Sequence, residues 1–187
     1  MRIIGGDLKG KKLLIPLDKS TRPLKDMVKE SIFNILNHSS KVFKNINNSK
    51  VLDLFSGTGS FGIECLSRGA KEVIFFENYS NSLKILKKNI FNLKLEDKTK
   101  IYERNAYDLK ETNLNSEIFD VIFLDPPFKD KEINILIDQI KTLKIANINT
   151  LIIIHRNKKS VDNISKFLNV LDEKNYGLSK ILFSKLI

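Results

Sequence analysis

Two stretches carry residues whose types and spacing could do chemistry. The first is Val51 to Gly62, VLDLFSGTGSFG, a short apolar run that reaches a carboxylate, an aromatic and two glycines before helical spacing sets in. It reads as strand, tight turn, helix. Glycines at 57 and 59 let the backbone take positive φ and let a ligand approach where a Cβ would block it. Read literally, Gly57, Gly59 and Gly62 spell G-x-G-x-x-G, with Glu77 closing the next apolar run twenty residues after Gly57, so a dinucleotide such as NAD is the first ligand to weigh. Asp53 argues against it, because a carboxylate at the mouth of a pyrophosphate site would repel its ligand. A cationic ligand reverses that sign. The second stretch is Asp125-Pro126-Pro127-Phe128, at the end of the apolar run FDVIFL. The prolines fix φ, hold the residues before them extended and contribute no N–H. What remains is a rigid row of acceptors, the Asp125 carboxylate and neighbouring carbonyls, beside the aromatic face of Phe128. Such a row suits an exocyclic NH2 on a planar base. Acceptors that pull both N–H bonds out of plane localise a lone pair otherwise spread into the ring, and Phe128 can stack on the base.

These stretches need a scaffold that brings them together. From Val51 the pattern alternates strand and helix, the signature of a doubly wound parallel α/β sheet. Strands are expected over 51–55, 72–77, 99–103, 119–124 and 150–155, with helices near 60–68, 80–93, 131–143 and 160–167. Ser80 is the expected N-cap of the second of these helices. Residues 168–187, with Tyr176-Gly177 as a turn signal, read as two closing strands in a hairpin. Ligands in such sheets lie outside the carboxyl ends of the strands where strand order reverses. If the first and fourth strands are neighbours there, the glycine turn and DPPF flank one crevice. Glu77 then sits where it can accept hydrogen bonds from two ribose hydroxyls, with Asn78 following it. Asn105 and Ala106, after the third strand, could line an adenine, with Asp108 as the competing polar group.

The front of the chain is different. Residues 1–50 hold 11 Lys and Arg against 4 Asp and Glu, a net of +7, whereas the remaining residues hold 21 against 18, a net of +3. Since 27 of the 32 basic residues are lysine, the total of +10 says less than its position, and a basic front points to a nucleic-acid contact. RIIGGDLKGKKLLI reads as a β-hairpin with Arg2, Lys9, Lys11 and Lys12 on its rim. The helix that follows, in STRPLKDMVKESIFNIL, buries Leu24, Met27, Val28, Ile32, Ile35 and Leu36. Arg22, in a lysine-rich chain, suggests a bidentate contact with phosphate, and Lys25 lies just beyond it. The 187 residues are expected to form one domain, 1–50 being a basic extension and 51–187 the cofactor-binding sheet. A single cysteine, Cys65, offers no disulfide framework or zinc cluster and reads as core. With no targeting segment or run long enough to span a membrane, the expected compartment is the cytoplasm.

The pattern D-x-F-x-G-x-G resembles the first motif of S-adenosylmethionine-dependent methyltransferases, whose cofactor is cationic and carries no phosphate. RIIGG-x-x-K-G-K-K-L, TRPLKDMVKESIFNIL, DLFSGTG and DPPF occur in the order found in one family, the bacterial 16S ribosomal RNA guanine-N2 methyltransferases (RsmD-type), and the match spans the chain. The resemblance implies a Rossmann-like class I fold with a seven-stranded, mostly parallel sheet and an antiparallel last strand. It implies S-adenosylmethionine as donor, no metal, and methylation of guanine 966 on the small ribosomal subunit. Asp53, Phe55, Gly57, Gly59, Glu77, Asn78, Asn105, Ala106 and Asp125 would then bind cofactor. Asp125, Pro126, Pro127 and Phe128 would hold the amine, and Arg2, Lys9, Lys11, Lys12, Arg22 and Lys25 the RNA. A monomer is expected. A DNA adenine methyltransferase shares D-P-P and a following aromatic, and a nicotinamide-dependent oxidoreductase or a non-catalytic RNA-binding module stand as further alternatives. The chain departs from the family at Leu24, often threonine, at Lys11 and Lys29 in place of arginine, and at His155-Arg156, where an acidic residue is expected. His155 therefore reads as structural or rim-facing.

Overall fold

The computed structural model describes residues 1–16 and 24–187, so Arg22 and the TRP segment lie outside the described residues. Seven strands form one sheet: β1 Lys50–Leu54, β2 Glu72–Phe76, β3 Thr99–Tyr102, β4 Val121–Leu124, β5 Leu151–Asn157, β6 Leu168–Tyr176 and β7 Ser179–Leu186. Their order is β3-β2-β1-β4-β5-β7-β6. The first five run parallel, and β7 is antiparallel to both β5 and β6. The helices are α1 Asp26–His38, α2 Ser60–Ser67, α3 Ser80–Asn92 and α4 Ile133–Thr142. A parallel sheet covered on both faces explains the unbroken apolar runs. Phe33 of α1, Phe61 of α2 and Phe123 of β4 stack in sequence on one face, at centroid distances of 5.4 and 4.1 Å. On the other face Leu52, Ile122, Leu136, Ile140 and Ile152 share a second buried cluster. Cys65 is fully buried, as expected. No helix among the described residues is long and apolar enough to cross a membrane.

The amino-terminal segment folds back on itself as the expected hairpin, and three local expectations are corrected. In the hairpin Ile3 N–H donates to the Lys11 carbonyl at 3.0 Å, Gly10 N–H to the Ile3 carbonyl at 2.9 Å and Leu13 N–H to the Met1 carbonyl at 3.1 Å, around an antiparallel bridge of Arg2 with Lys12. Other amides of the segment dock on α2. Ile4 N–H and Gly5 N–H donate to the Glu64 carboxylate, each at 2.8 Å, and Asp7 N–H donates to the Ser67 carbonyl at 2.7 Å. A Cβ on Gly6 would stand 1.7 Å from that carbonyl oxygen, so only glycine permits the contact. Met27 is exposed, since α1 turns its buried face through Val28, Ile32 and Leu36. In place of a helix over 160–167 there is one 3-10 turn, Ile164–Lys166. An eight-residue amphipathic signal is too short to hold a helix unaided, and the Asp162 carboxylate is committed to Arg156. Ser80 begins α3 and does not cap it: the cap position is Tyr79.

The basic front is held by a buried ion pair. Lys29 of α1 lies 3.3 Å from Glu64 of α2, both side chains fully buried, and the Lys29 ammonium also donates to the Arg2 carbonyl at 2.8 Å. Glu64 further accepts from Arg68 Nε at 2.9 Å. Burial pushes the Lys29 amine below its ordinary range, against the pull of Glu64. Replacing Glu64 by Gln leaves an uncompensated buried cation, and urea unfolding should show a loss of about 3–5 kcal/mol at pH 7. Since the folded Lys29 then titrates lower still, the unfolded state binds more protons as pH rises towards the lysine range. The variant's deficit should therefore shrink with increasing pH. A pH-independent deficit would mean that Lys29 carries no charge in the core.

Candidate active site

β1 and β4 pair in parallel with Leu54 beside Leu124, so Phe55 and Asp125 leave the sheet side by side, and Asp125 N–H donates to the Leu54 carbonyl at 3.2 Å. The strand order reverses here, β1 leading outward to β2 and β3 and β4 to β5. The two motifs thus flank one crevice at the carboxyl ends of the strands, where open α/β sheets place ligands. Phe55 has φ of +61°, a strained value for a bulky residue. It turns the chain out of β1, and its ring packs edge-on to Tyr107 at 5.6 Å.

The glycine loop separates into parts with different duties. A Cβ on Gly57 would meet no protein atom, so this glycine, at φ +57°, borders open space. On Gly59 it would stand 2.5 Å from Leu86 Cδ1, and on Gly62 it would stand 2.3 Å from the Phe75 ring. Those two glycines serve helix packing, and only Gly57 leaves room for a ligand. Asp53 is 1% exposed. It lies beneath the loop, not at its mouth as expected, and accepts Gly62 N–H at 2.9 Å, fixing the first turn of α2. Burial pushes its carboxyl well above the usual range against that hydrogen bond, and the negative fields of Asp125 and Glu77 add to the rise.

Glu77 ends β2 beside the loop as expected, with its acceptors already engaged. Its carboxylate receives Gly57 N–H at 2.6 Å, Asn78 N–H at 2.9 Å and Tyr79 N–H at 2.7 Å. A carboxylate offers about four acceptor positions, so one hydroxyl can be taken up directly, while a second needs Gly57 N–H to release. Burial raises the Glu77 carboxyl above its ordinary range, opposed by the three amides. Asn78 is exposed beside it. Asn105 is exposed and its side chain accepts Tyr107 N–H at 3.1 Å, capping the 3-10 segment Ala106–Glu111. The Ala106 side chain is buried in the core, so only its backbone could border a ligand.

The DPPF loop is held from behind by residues that sequence reasoning left without a role. The Arg156 guanidinium, 1% exposed, makes a two-point pair with Asp162, 2.8 Å on each arm, and donates to the Asp130 carbonyl at 2.6 Å and the Pro127 carbonyl at 3.4 Å. Asp130 N–H donates to the same Pro127 carbonyl at 2.8 Å. That acceptor is spent, which corrects the expectation of a row running through both prolines. Among the described residues the Pro126 carbonyl receives no hydrogen bond, so the acceptors of this loop not spent on Arg156 and Asp130 are those of Asp125 and Pro126. Tyr107 hydroxyl donates to the Asp130 carboxylate at 2.8 Å, and burial with that carboxylate holds its phenol far above the ordinary range. His155, also on β5, contacts Asp125 at 2.7 Å. A basic residue directly after an apolar strand was the available signal, since a buried arginine needs partners at the strand end.

The amino-terminal segment reaches this site through α3. Asn89, buried, accepts Leu14 N–H at 2.8 Å and donates to the Leu14 and Thr58 carbonyls, each at 3.1 Å. Arg2, Lys9, Lys11, Lys12 and Lys25 are exposed, and none forms an ion pair with another described residue. Lys29 is spent on Glu64 and Leu24 is buried in the core, so neither departure from the family pattern faces solvent. No group of three or more His, Cys, Asp or Glu among the described residues could hold a metal ion.

The chain is 31% identical over 187 residues to the putative rRNA methyltransferase YlbH of Bacillus subtilis (strain 168), spanning 99% of this chain and 98% of that protein. Over 129 residues it is 40% identical to the ribosomal RNA small subunit methyltransferase D of Haemophilus influenzae, spanning 68% of this chain and 64% of that protein. Among solved structures, the putative methyltransferase yhhF from Escherichia coli superposes with a TM-score of 0.83 at 26% identity, over 100% of this chain and 97% of that one. The family model described as "Conserved hypothetical protein 95" matches residues 1–185, and the chain belongs to that family, the RsmD-type methyltransferases whose motifs it carries.

Proposed function

We propose that the chain transfers a methyl group from S-adenosylmethionine to the exocyclic N2 amine of guanine 966 in 16S rRNA of the small ribosomal subunit. Methyl transfer to ribosomal RNA accords with the family. The choice of a guanine amine rests on one observation, the junction of the Gly57 loop with the acceptors of Asp125 and Pro126 at the β1–β4 switch point.

The residues present fit the cofactor. Open space beside Gly57 gives it backbone room, Glu77 retains acceptor capacity for a ribose hydroxyl, and the carboxylates of Glu77 and Asp125 favour a cation, as a sulfonium and an ammonium require. The same field disfavours the pyrophosphate of NAD. When bound, the cofactor supplies an electrophilic methyl group on sulfur. Asp125 and the Pro126 carbonyl accept the two N–H bonds of the amine and turn its lone pair towards the methyl carbon. Phe128, half-buried beside His155, offers a face for the base. After transfer the surplus amine proton leaves to Asp125 or water. Holding nitrogen, carbon and sulfur in line contributes roughly 7 to 11 kcal/mol. To enter the crevice a paired guanine must be flipped out, at a cost of a few kcal/mol. The exposed basic residues at positions 2, 9, 11, 12 and 25, with Arg22 outside the described residues, are the proposed phosphate contacts.

Radiolabelled methyl transfer to small subunits, free 16S rRNA and DNA tests the reading: label should appear in 16S rRNA as N2-methylguanine at position 966, and label confined to DNA adenine would overturn it. Asp125→Ala should lower kcat at least about 10²-fold while calorimetry shows cofactor binding; wild-type turnover would remove Asp125 from the chemistry. Gly57→Ala costs about 1–2 kcal/mol of folding from its positive φ alone. Its added Cβ should in addition weaken S-adenosylmethionine binding in calorimetry, and unchanged affinity would mean that the loop holds no ligand. Replacing Lys11 and Lys12 by Ala should flatten the salt dependence of RNA binding by about 0.7 to 0.9 in the log–log slope per lost phosphate contact. An unaltered slope would place the RNA elsewhere.

A further inference from the structure

His155 sits at the carboxyl end of β5, next to the strand that delivers Asp125, and is 8% exposed. Both of its ring nitrogens are engaged: Nδ1 lies 2.7 Å from Asp125 Oδ1 and Nε2 lies 2.8 Å from Ser179 Oγ. Ser179 opens β7 and comes from the far end of the chain, so three strands converge on this ring. The Phe128 ring stands edge-on to it, at 5.4 Å and 79°. One imidazole therefore touches two of the four DPPF residues. An ionised carboxylate only accepts, so the contact with Asp125 requires a proton on Nδ1, and in a neutral ring Nε2 accepts from the Ser179 hydroxyl. Of the two neutral tautomers this is the less common one, and the residues on either side favour it.

We propose that His155 is a positioning residue for methyl transfer: by tying down Oδ1 it leaves Oδ2 of Asp125 as the acceptor presented to the amine, and its edge sets the plane of Phe128. The assignment rests on the reading of the site as an amine methyltransferase. The Asp125 side chain remains 21% exposed and that of His155 10%, so the pair lies on the crevice floor with the carboxylate within reach of a base. Without the imidazole the carboxylate can rotate about its terminal torsion, which is soft. It would then spend part of its time offering neither oxygen along the line of attack. Ser179 acts one step further out, by holding the tautomer.

Two measurements test this, the first independent of turnover. With only two histidines in the chain, His38 and His155, nitrogen-15 NMR of the side chains should show His155 as the Nδ1–H tautomer in the wild type. It should revert towards Nε2–H in Asp125→Ala. Finding Nε2–H in the wild type would overturn the assignment even if the enzyme is active. In kinetics, His155→Phe keeps the ring volume and loses the donor. It should lower kcat about 10²-fold while KM for the ribosomal substrate and the calorimetric affinity for S-adenosylmethionine stay close to wild type. His155→Asn, whose amide places a donor near the Nδ1 position, should recover most of that loss. Equal kcat in wild type and His155→Phe, or no difference between Phe and Asn, would overturn the role. Ser179→Ala, which leaves the ring in place, should lower kcat less than His155→Phe, and a larger effect would contradict the proposed order of contacts. A wild-type protein with the Nδ1–H tautomer that methylates no ribosomal substrate would overturn the reading of the site, and this role with it.

Discussion

The pairing of β1 with β4 is the constraint on which the site depends. Leu54 lies beside Leu124 in one buried cluster while Val51, Val121 and Phe123 belong to the cluster on the opposite face, so a slip of one residue would exchange side chains between two differently packed cores. Register at these two positions therefore fixes the relative height at which Phe55 and Asp125 leave the sheet. Everything chemical follows from that height. The glycine turn and the DPPF loop come from positions about seventy residues apart, and neither could form a site alone.

Around that junction the structure spends its buried polar groups on holding backbone. Asp53 fixes the start of α2, Glu77 gathers three amides at the end of β2, Arg156 holds two carbonyls of the DPPF loop, and Asn89 ties Leu14 to Thr58. Each of these groups would be costly to leave unpaired in the interior, so satisfying it and shaping the crevice are one requirement. Asn89 and the Lys29–Glu64 pair also bind the basic front to the two helices that border the glycine loop. The surface proposed to meet RNA is thereby built onto the cofactor loop itself.

Much of this was legible in the chain. The alternation of apolar strand and amphipathic helix from Val51 onward placed β1 to β5 to within two residues, because parallel strands buried on both faces leave an uninterrupted hydrophobic signal. The closing hairpin was carried by Tyr176-Gly177. Less legible were elements set by contacts distant in sequence. The hairpin expected over 2–15 forms, but its docking on α2 through Glu64 and Ser67 leaves no trace in local pattern. The expected helix at 160–167 yielded to Asp162 pairing with Arg156. In the glycine motif, three identical residues have two different duties, which only the positions of Leu86 and Phe75 distinguish. His155 and Arg156 stood out by type, yet their partners Asp125, Ser179, Asp130 and Asp162 come from three other parts of the chain.

The central claim is that one crevice receives both cofactor and base. The most direct measurement is a crystal structure of the chain with S-adenosylhomocysteine, the demethylated product of the cofactor. The account predicts its ribose against Glu77, its backbone approach at Gly57, and its sulfur directed at the gap between Asp125 and Phe128. A product molecule bound away from that gap, with the DPPF loop opening onto a separate surface, would contradict it.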